Sequence, residues 1–267
     1  MSSDVSLHVL YRIANAPIQP FPFPHIFVRD VFPQDFYRTI RTMLPPKEAF
    51  TTLKSLGRVG SGYPDTRFVL PLAPDKLGAA AEPFRSFWSE VASWLVGGPF
   101  GSMVLPKFAE ILEQRFGNLA TQAFFDEALL VQDYTTYALG PHTDTPSKVL
   151  SFLFYLPADD SRSHLGTSIY LPKDPNFLCP GGPHYDFDLF RRVYTMPYVP
   201  NTLFAFLKTD NSFHGVEPIK DEQVQRDILL YDVRVFNPRE GQAANNAGPS
   251  SGFGLRMLGR LFGSKNK

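Results

Sequence analysis

From Phe124 onward the chain is a succession of short apolar runs cut by turn residues, and this rhythm limits the possible folds more than any other feature. Phe124 to Tyr137, Val149 to Pro157, Gly166 to Pro172, Val193 to Val199, Thr202 to Lys208, Phe213 to Ile219 and Asp227 to Phe236 each read as a strand. Pro200-Asn201 and Thr209-Asp210-Asn211-Ser212 read as turns between them. Many strands with few intervening helices must bury one sheet face against another, so the spacing predicts a mainly β fold, a double-stranded β-helix or cupin-like jelly roll. The 25 Phe and 25 Pro among 267 residues suit such a fold, with aromatic packing between sheets and prolines at the turns.

The first half supplies supporting helices. Residues 21 to 32 open as an apolar strand. Asp30 to Leu44 then reads as a helix entry and helix, closed by Pro45 and Pro46, which cannot continue it. Glu82 to Val96 carries Phe84, Phe87, Trp88, Val91, Trp94 and Leu95 at helical spacing, a stripe expected to be core. Pro106 to Phe116 forms a second helix. Thr51 to Leu77 is polar and Gly-rich, an irregular excursion with at most one short strand, where Arg58 and Arg67 could meet an anionic substrate or simply face solvent.

Residues 1–236 are expected to form a single domain and 237–267 a flexible linker with a short basic amphipathic tail. In that tail Leu255, Leu258, Leu261 and Phe262 share one helical face, opposite Arg256, Arg260 and Lys267. It suits weak association with an anionic membrane surface, and equally docking on the domain or on a partner. The formal charge is zero, with 26 basic and 26 acidic residues, so no nucleic-acid partner is expected. Cys179 is the single cysteine, which rules out an intrachain disulfide and makes a reducing, cytoplasmic setting the expectation. The N-terminus has no basic region leading into an apolar core.

The chemistry-bearing stretch is Leu129 to Pro157, where His142 and Asp144 lie one residue apart between strand-like runs. At a strand end, residues two apart point to the same side, so both could hold one metal ion, with His214 far downstream as the third ligand. Two histidines and one carboxylate on one face of a metal, the other face open, is the facial triad of non-haem Fe(II) oxygenases. Arg226 follows His214 at the entry of the last strand, suited to pair with a carboxylate of a bound cosubstrate. His184-Tyr185-Asp186 repeats the His-x-Asp spacing. It lies in a stretch of loop composition, Lys173 to Arg192, with room for only about two strands before His214, and is expected to be a mobile cover over the pocket. His8, His25 and His164 read as packing, surface or loop residues.

In the order of His142-x-Asp144, His214 and Arg226, the chain resembles the superfamily of 2-oxoglutarate and Fe(II)-dependent dioxygenases, in particular its prolyl-hydroxylase-like branch. The resemblance covers roughly residues 20 to 236 and implies a hydroxylase whose catalytic metal ligands are His142, Asp144 and His214. It implies Fe(II), 2-oxoglutarate as cosubstrate and O2, with succinate and CO2 as products. Arg226, Tyr134 and Tyr155 would contact the cosubstrate. Tyr155 would share the inward face of its strand with Ser151 and Leu153. Small-molecule, peptidyl and glycolipid substrates all fit. The alternative reading is a cupin-like metal-binding module or metalloenzyme that does not use 2-oxoglutarate.

Overall fold

The structure, a computed structural model, describes residues 2–236 except 61, 79 and 98. In chain order the strands are β1 (His25–Arg29), β2 (Thr51–Thr52), β3 (Arg67–Pro71), β4 (Phe124–Tyr134), β5 (Leu139–His142), β6 (Lys148–Tyr155), β7 (Ser168–Pro172), β8 (Phe190–Thr195), β9 (Thr202–Leu207), β10 (His214–Val216) and β11 (Gln225–Val235). The helices are α1 (Ser2–Asn15), α2 (Gln34–Thr42), α3 (Pro74–Leu77), α4 (Phe84–Leu95), α5 (Pro99–Val104) and α6 (Ala109–Phe116). Seven strands form one antiparallel sheet in the order β1-β9-β6-β11-β4-β3-β2, and four form a second in the order β5-β10-β7-β8. From β4 to β7 and from β8 to β11 successive strands alternate between the sheets, with β7 and β8 paired as neighbours in the smaller one, and the result is the expected mainly β jelly roll.

Period-2 alternation divides the large sheet into two apolar faces. On β11, Leu229, Tyr231, Val233 and Val235 join the core beneath the helices, whereas Ile228 and Leu230 pack between the two sheets. β4 divides likewise, with Ala128 and Leu130 under the helices and Leu129 and Val131 between the sheets. Against the outer face α4 buries Trp88, Val91, Trp94 and Leu95, the stripe expected from sequence. Trp88 is fully buried and its indole N–H donates to the Met43 carbonyl at 2.6 Å, so burial leaves no donor unsatisfied.

Some elements differ from expectation. The helix expected from Asp30 starts at Gln34, because Asp30 has a left-handed backbone (φ 48°) and Pro33 takes the N-cap. The helix expected over Pro106 to Phe116 is α6 preceded by a tight 3-10 turn, Leu105–Phe108. β8 spans Phe190–Thr195 rather than 193–199. Four consecutive exposed residues, Arg191 to Tyr194, give this edge strand no apolar period to read. Helix α1 was not expected, although Val5, Val9 and Ile13 form its buried stripe. The tail with its amphipathic pattern lies outside the described residues. Among the described residues no helix is long and apolar enough to cross a membrane.

Candidate metal centre

Strand pairing, not proximity in sequence, assembles the centre. β10 runs antiparallel to β5 with His214 directly opposite His142, which brings the two imidazole centroids to 4.4 Å. β5 ends at His142, and the chain leaves the strand so that Asp144 completes the group. One ligand atom from each of His142, Asp144 and His214 lies within 4.8 Å of the others, and all three residues are buried. Among the described residues this is the only such group of three or more His, Cys, Asp or Glu side chains.

Hydrogen bonding selects the ring nitrogens. His142 Nδ1 lies 2.9 Å from the Gly140 carbonyl oxygen and His214 Nδ1 lies 2.9 Å from that of Ser212. A carbonyl only accepts, so each Nδ1 carries the proton and donates, and each Nε2 keeps its lone pair for a metal. Burial, reinforced by the neighbouring His214, holds His142 well below its ordinary pKa; burial also lowers His214. Both rings are therefore neutral near pH 7, as ligation requires. Burial alone would raise Asp144, but the Lys148 ammonium above all, with the Ser151 hydrogen bond, outweighs it and holds the carboxyl well below its ordinary range. The Ser151 hydroxyl donates to Asp144 Oδ2 at 2.8 Å and fixes its orientation. Lys148 reaches Asp144 at 3.2 Å and Asp232 at 3.0 Å. Two neutral imidazoles and one carboxylate, with tautomers set, fit a divalent iron with an open face.

The rival motif does not form a second centre. Asp186 stays exposed and outside the group, while His184 packs its ring edge-on over His142 at 4.5 Å. Nor is its segment the loose cover expected from composition. The Tyr185 amide donates to the Pro141 carbonyl at 2.9 Å, the Thr143 hydroxyl donates to that of Cys179 at 2.9 Å, and Phe177, Tyr185, Phe190 and Phe213 pack together. Two glycines permit this approach. A Cβ on Gly140 would collide with the Tyr185 carbonyl, and one on Gly181 (φ 130°) with that of Asp144.

The centre opens into a cavity of about 400 Å³ whose walls include Leu53, Tyr63, Arg67, Leu153 and Thr167. Ser151, Leu153 and Tyr155 do share the inward face of β6. Tyr155 is fully buried, its hydroxyl accepting from the Thr167 amide at 3.0 Å and its ring 5.7 Å from the Arg226 guanidinium carbon. Arg226 is likewise fully buried. Its Nη1 donates to Asp133 at 2.7 Å, its Nε to the Leu165 carbonyl at 2.6 Å and its Nη2 to the Thr167 hydroxyl at 3.3 Å. Tyr134 is not brought to the cavity. Its parity on β4 places it on the helix side, where it donates to Gln132 Oε1 at 2.8 Å and packs on Phe68. Its neighbour Asp133 faces inward instead, and sequence reasoning missed it. The available signal was its phase: it follows Leu129 and Val131 at period 2, so its carboxylate had to be buried and paired.

No family model matches the chain, and no curated protein matches it. Among solved structures it is similar to a Pseudomonas putida prolyl-4-hydroxylase, at 14% identity and a TM-score of 0.44, covering 89% of this chain and 100% of that one. It is also similar to a Trichoplax adhaerens prolyl hydroxylase in complex with a hypoxia inducible factor peptide fragment (10% identity, TM-score 0.47, covering 91% and 94%). A third is a non-haem alpha ketoglutarate dependent carbocyclase from nogalamycin biosynthesis (13%, 0.46, covering 91% and 92%).

Proposed function

We propose that the protein is an Fe(II)- and 2-oxoglutarate-dependent dioxygenase that hydroxylates a C–H bond of a small-molecule or peptidyl substrate. The observation that carries this reading is the buried group His142, Asp144 and His214 at the floor of the cavity, with both Nε2 atoms free for a metal. Iron bound there would supply the oxidative chemistry, consuming O2 and 2-oxoglutarate and releasing succinate and CO2. The chain's part is to hold and orient. Ser151 fixes the Asp144 carboxylate, and the Gly140 and Ser212 carbonyls fix the two rings. The apolar wall made by Leu129, Leu139, Leu153 and Val216 limits water around the reacting atoms. The cluster of Arg226, Asp133 and Arg67 makes one end of the site positive, where the far carboxylate of 2-oxoglutarate fits, with Tyr155 packed beside Arg226.

One observation favours a second reading, a metalloenzyme of the same fold that does not use 2-oxoglutarate: Arg226 already has an internal carboxylate partner in Asp133. The readings separate on incubation with Fe(II), O2 and 2-oxoglutarate. The first predicts succinate formation that is abolished in His142→Ala. Iron binding without any succinate from the intact protein would leave the second.

A further inference from the structure

Arg67, Asp133 and Arg226 stand directly opposite one another on the adjacent strands β3, β4 and β11. Their side chains project to the same inward side, so one carboxylate is flanked by two guanidiniums. Asp133 accepts from Arg67 Nε at 2.6 Å and Nη2 at 2.8 Å, and from Arg226 Nη1 at 2.7 Å. Asp133 and Arg226 are fully buried, and Arg67 is 13% exposed. A buried row with two positive charges and one negative is electrostatically incomplete, and carrying an uncompensated charge out of water is costly.

The surroundings do not supply the missing charge. Lys148 lies between Asp144 and Asp232, and Arg58 and Arg234 both reach Glu127. Among the described residues around the cavity, five cations (Arg58, Arg67, Lys148, Arg226, Arg234) therefore meet four carboxylates (Glu127, Asp133, Asp144, Asp232). The other cations already have their carboxylates, so the excess charge belongs to the row of Arg67 and Arg226.

The two guanidiniums are not equally available. Arg226 is committed on three sides, to Asp133, the Leu165 carbonyl and the Thr167 hydroxyl, and is not part of the cavity wall. Arg67 is part of that wall. Its guanidinium lies over the Tyr137 ring at 4.4 Å, and beyond Asp133 its remaining partner is the Tyr63 hydroxyl at a long 3.4 Å. Stacking fixes the plane of the fork and leaves an edge for a planar anion.

We propose that Arg67 is the residue that receives a carboxylate from a molecule in the cavity, and that Asp133 and Arg226 position it. Two sources share this chemistry: the far carboxylate of 2-oxoglutarate, which rests on the function proposed above, and a carboxylate carried by the substrate itself, which does not.

The test uses the full chain loaded anaerobically with Fe(II), with the visible absorption of the iron chelate as readout. It is titrated with 2-oxoglutarate and with 2-oxopentanoate, which has a methyl group where 2-oxoglutarate has its far carboxylate. If the cosubstrate is the source, Arg67→Gln weakens 2-oxoglutarate at least tenfold, leaves 2-oxopentanoate unchanged, and Arg67→Lys restores part of the loss. If the substrate is the source, Arg67→Gln leaves both 2-oxo acids unchanged but abolishes the rise in melting temperature that propanoate gives the Fe(II) protein. Responses to 2-oxoglutarate and to propanoate that are both the same in Arg67→Gln as in the parent overturn the proposal. So does a tenfold loss of 2-oxoglutarate binding confined to Arg226→Gln. A protein that binds Fe(II) and neither 2-oxo acid refutes the proposed function instead, and the propanoate arm still decides the role of Arg67. Thermal melting of each variant separates loss of the site from loss of the fold.

Discussion

The two faces of the seven-stranded sheet are made from the same strands and do opposite work. On β11 the outward set is Leu229, Tyr231, Val233 and Val235, packed beneath the helices. The inward set begins with Arg226, continues through Ile228 and Leu230, and ends with Asp232 and Arg234. The outer face gains stability from apolar burial, which is non-directional and tolerant of exact geometry. The inner face carries charges that must be matched, and among the described residues around the cavity the excess positive charge gathers at Arg67 and Arg226 around Asp133. One strand thus separates stability from chemistry by the alternation of its side chains alone.

Substitutions on either face test whether the two are independent. Trp88→Ala on the helix side removes a fully buried indole and should cost about 3–5 kcal/mol of folding stability by chemical denaturation. Fe(II) affinity of the fraction still folded should not change, and a parallel loss of iron would mean that the faces are not independent. Asp133→Asn on the inner face should also cost up to about 3–5 kcal/mol, here because two buried guanidiniums lose their shared counter-charge. Added 2-oxoglutarate stabilises any folded variant that binds it, and it should raise the melting temperature of Asp133→Asn by more than that of Trp88→Ala, because only there does it also replace a missing counter-charge.

Ser151→Ala deletes one hydroxyl from the inner face and little packing. Losing a group that orients a ligand typically weakens metal binding by about 10–100-fold. Isothermal titration with Fe(II) should find a change of that size, with stability almost unaltered. A further effect is one of pH. Burial is the leading cause that lowers the pKa of His25, His142 and His214 below the ordinary value of ~6.5. Between the folded and unfolded values the unfolded chain binds more protons, so stability rises with pH there. The metal-free protein should therefore hold its full histidine contribution above pH ~6.5 and lose it as the pH falls. Each histidine contributes at most about 1.4 kcal/mol per pH unit. Denaturation curves at pH 7 and pH 5.5 that coincide would show that these rings are not held neutral by the fold.

How much of this was legible in the sequence follows from the same alternation. Strands with one face in each core, such as β4, β6 and β11, were readable because period 2 and bulky apolar residues coincide. The exposed edge strand β8 was misplaced for want of that period. His142, Asp144 and His214 were legible as residues because metal chemistry restricts ligand types, and strand pairing then supplied their contact. Tyr134 was assigned from the resemblance, which is blind to parity; one position along the strand exchanges helix core for cavity, and Asp133 occupies the inward place. The partner of Arg226 lies on another strand, so only the register of β4 against β11 could reveal it. The firm seating of residues 177–185 depends on glycines that admit backbone contacts, and composition alone read those glycines as looseness.

The proposed iron site is built from β5, β10 and the turn after β5. The most direct measurement is anomalous diffraction at the iron edge from crystals of the full chain grown anaerobically with Fe(II). The account predicts a single iron bound by His142 Nε2, His214 Nε2 and the Asp144 carboxylate, its open face toward the cavity and Arg67. Iron held by His184 and Asp186, or no ordered iron between His142 and His214, would contradict it.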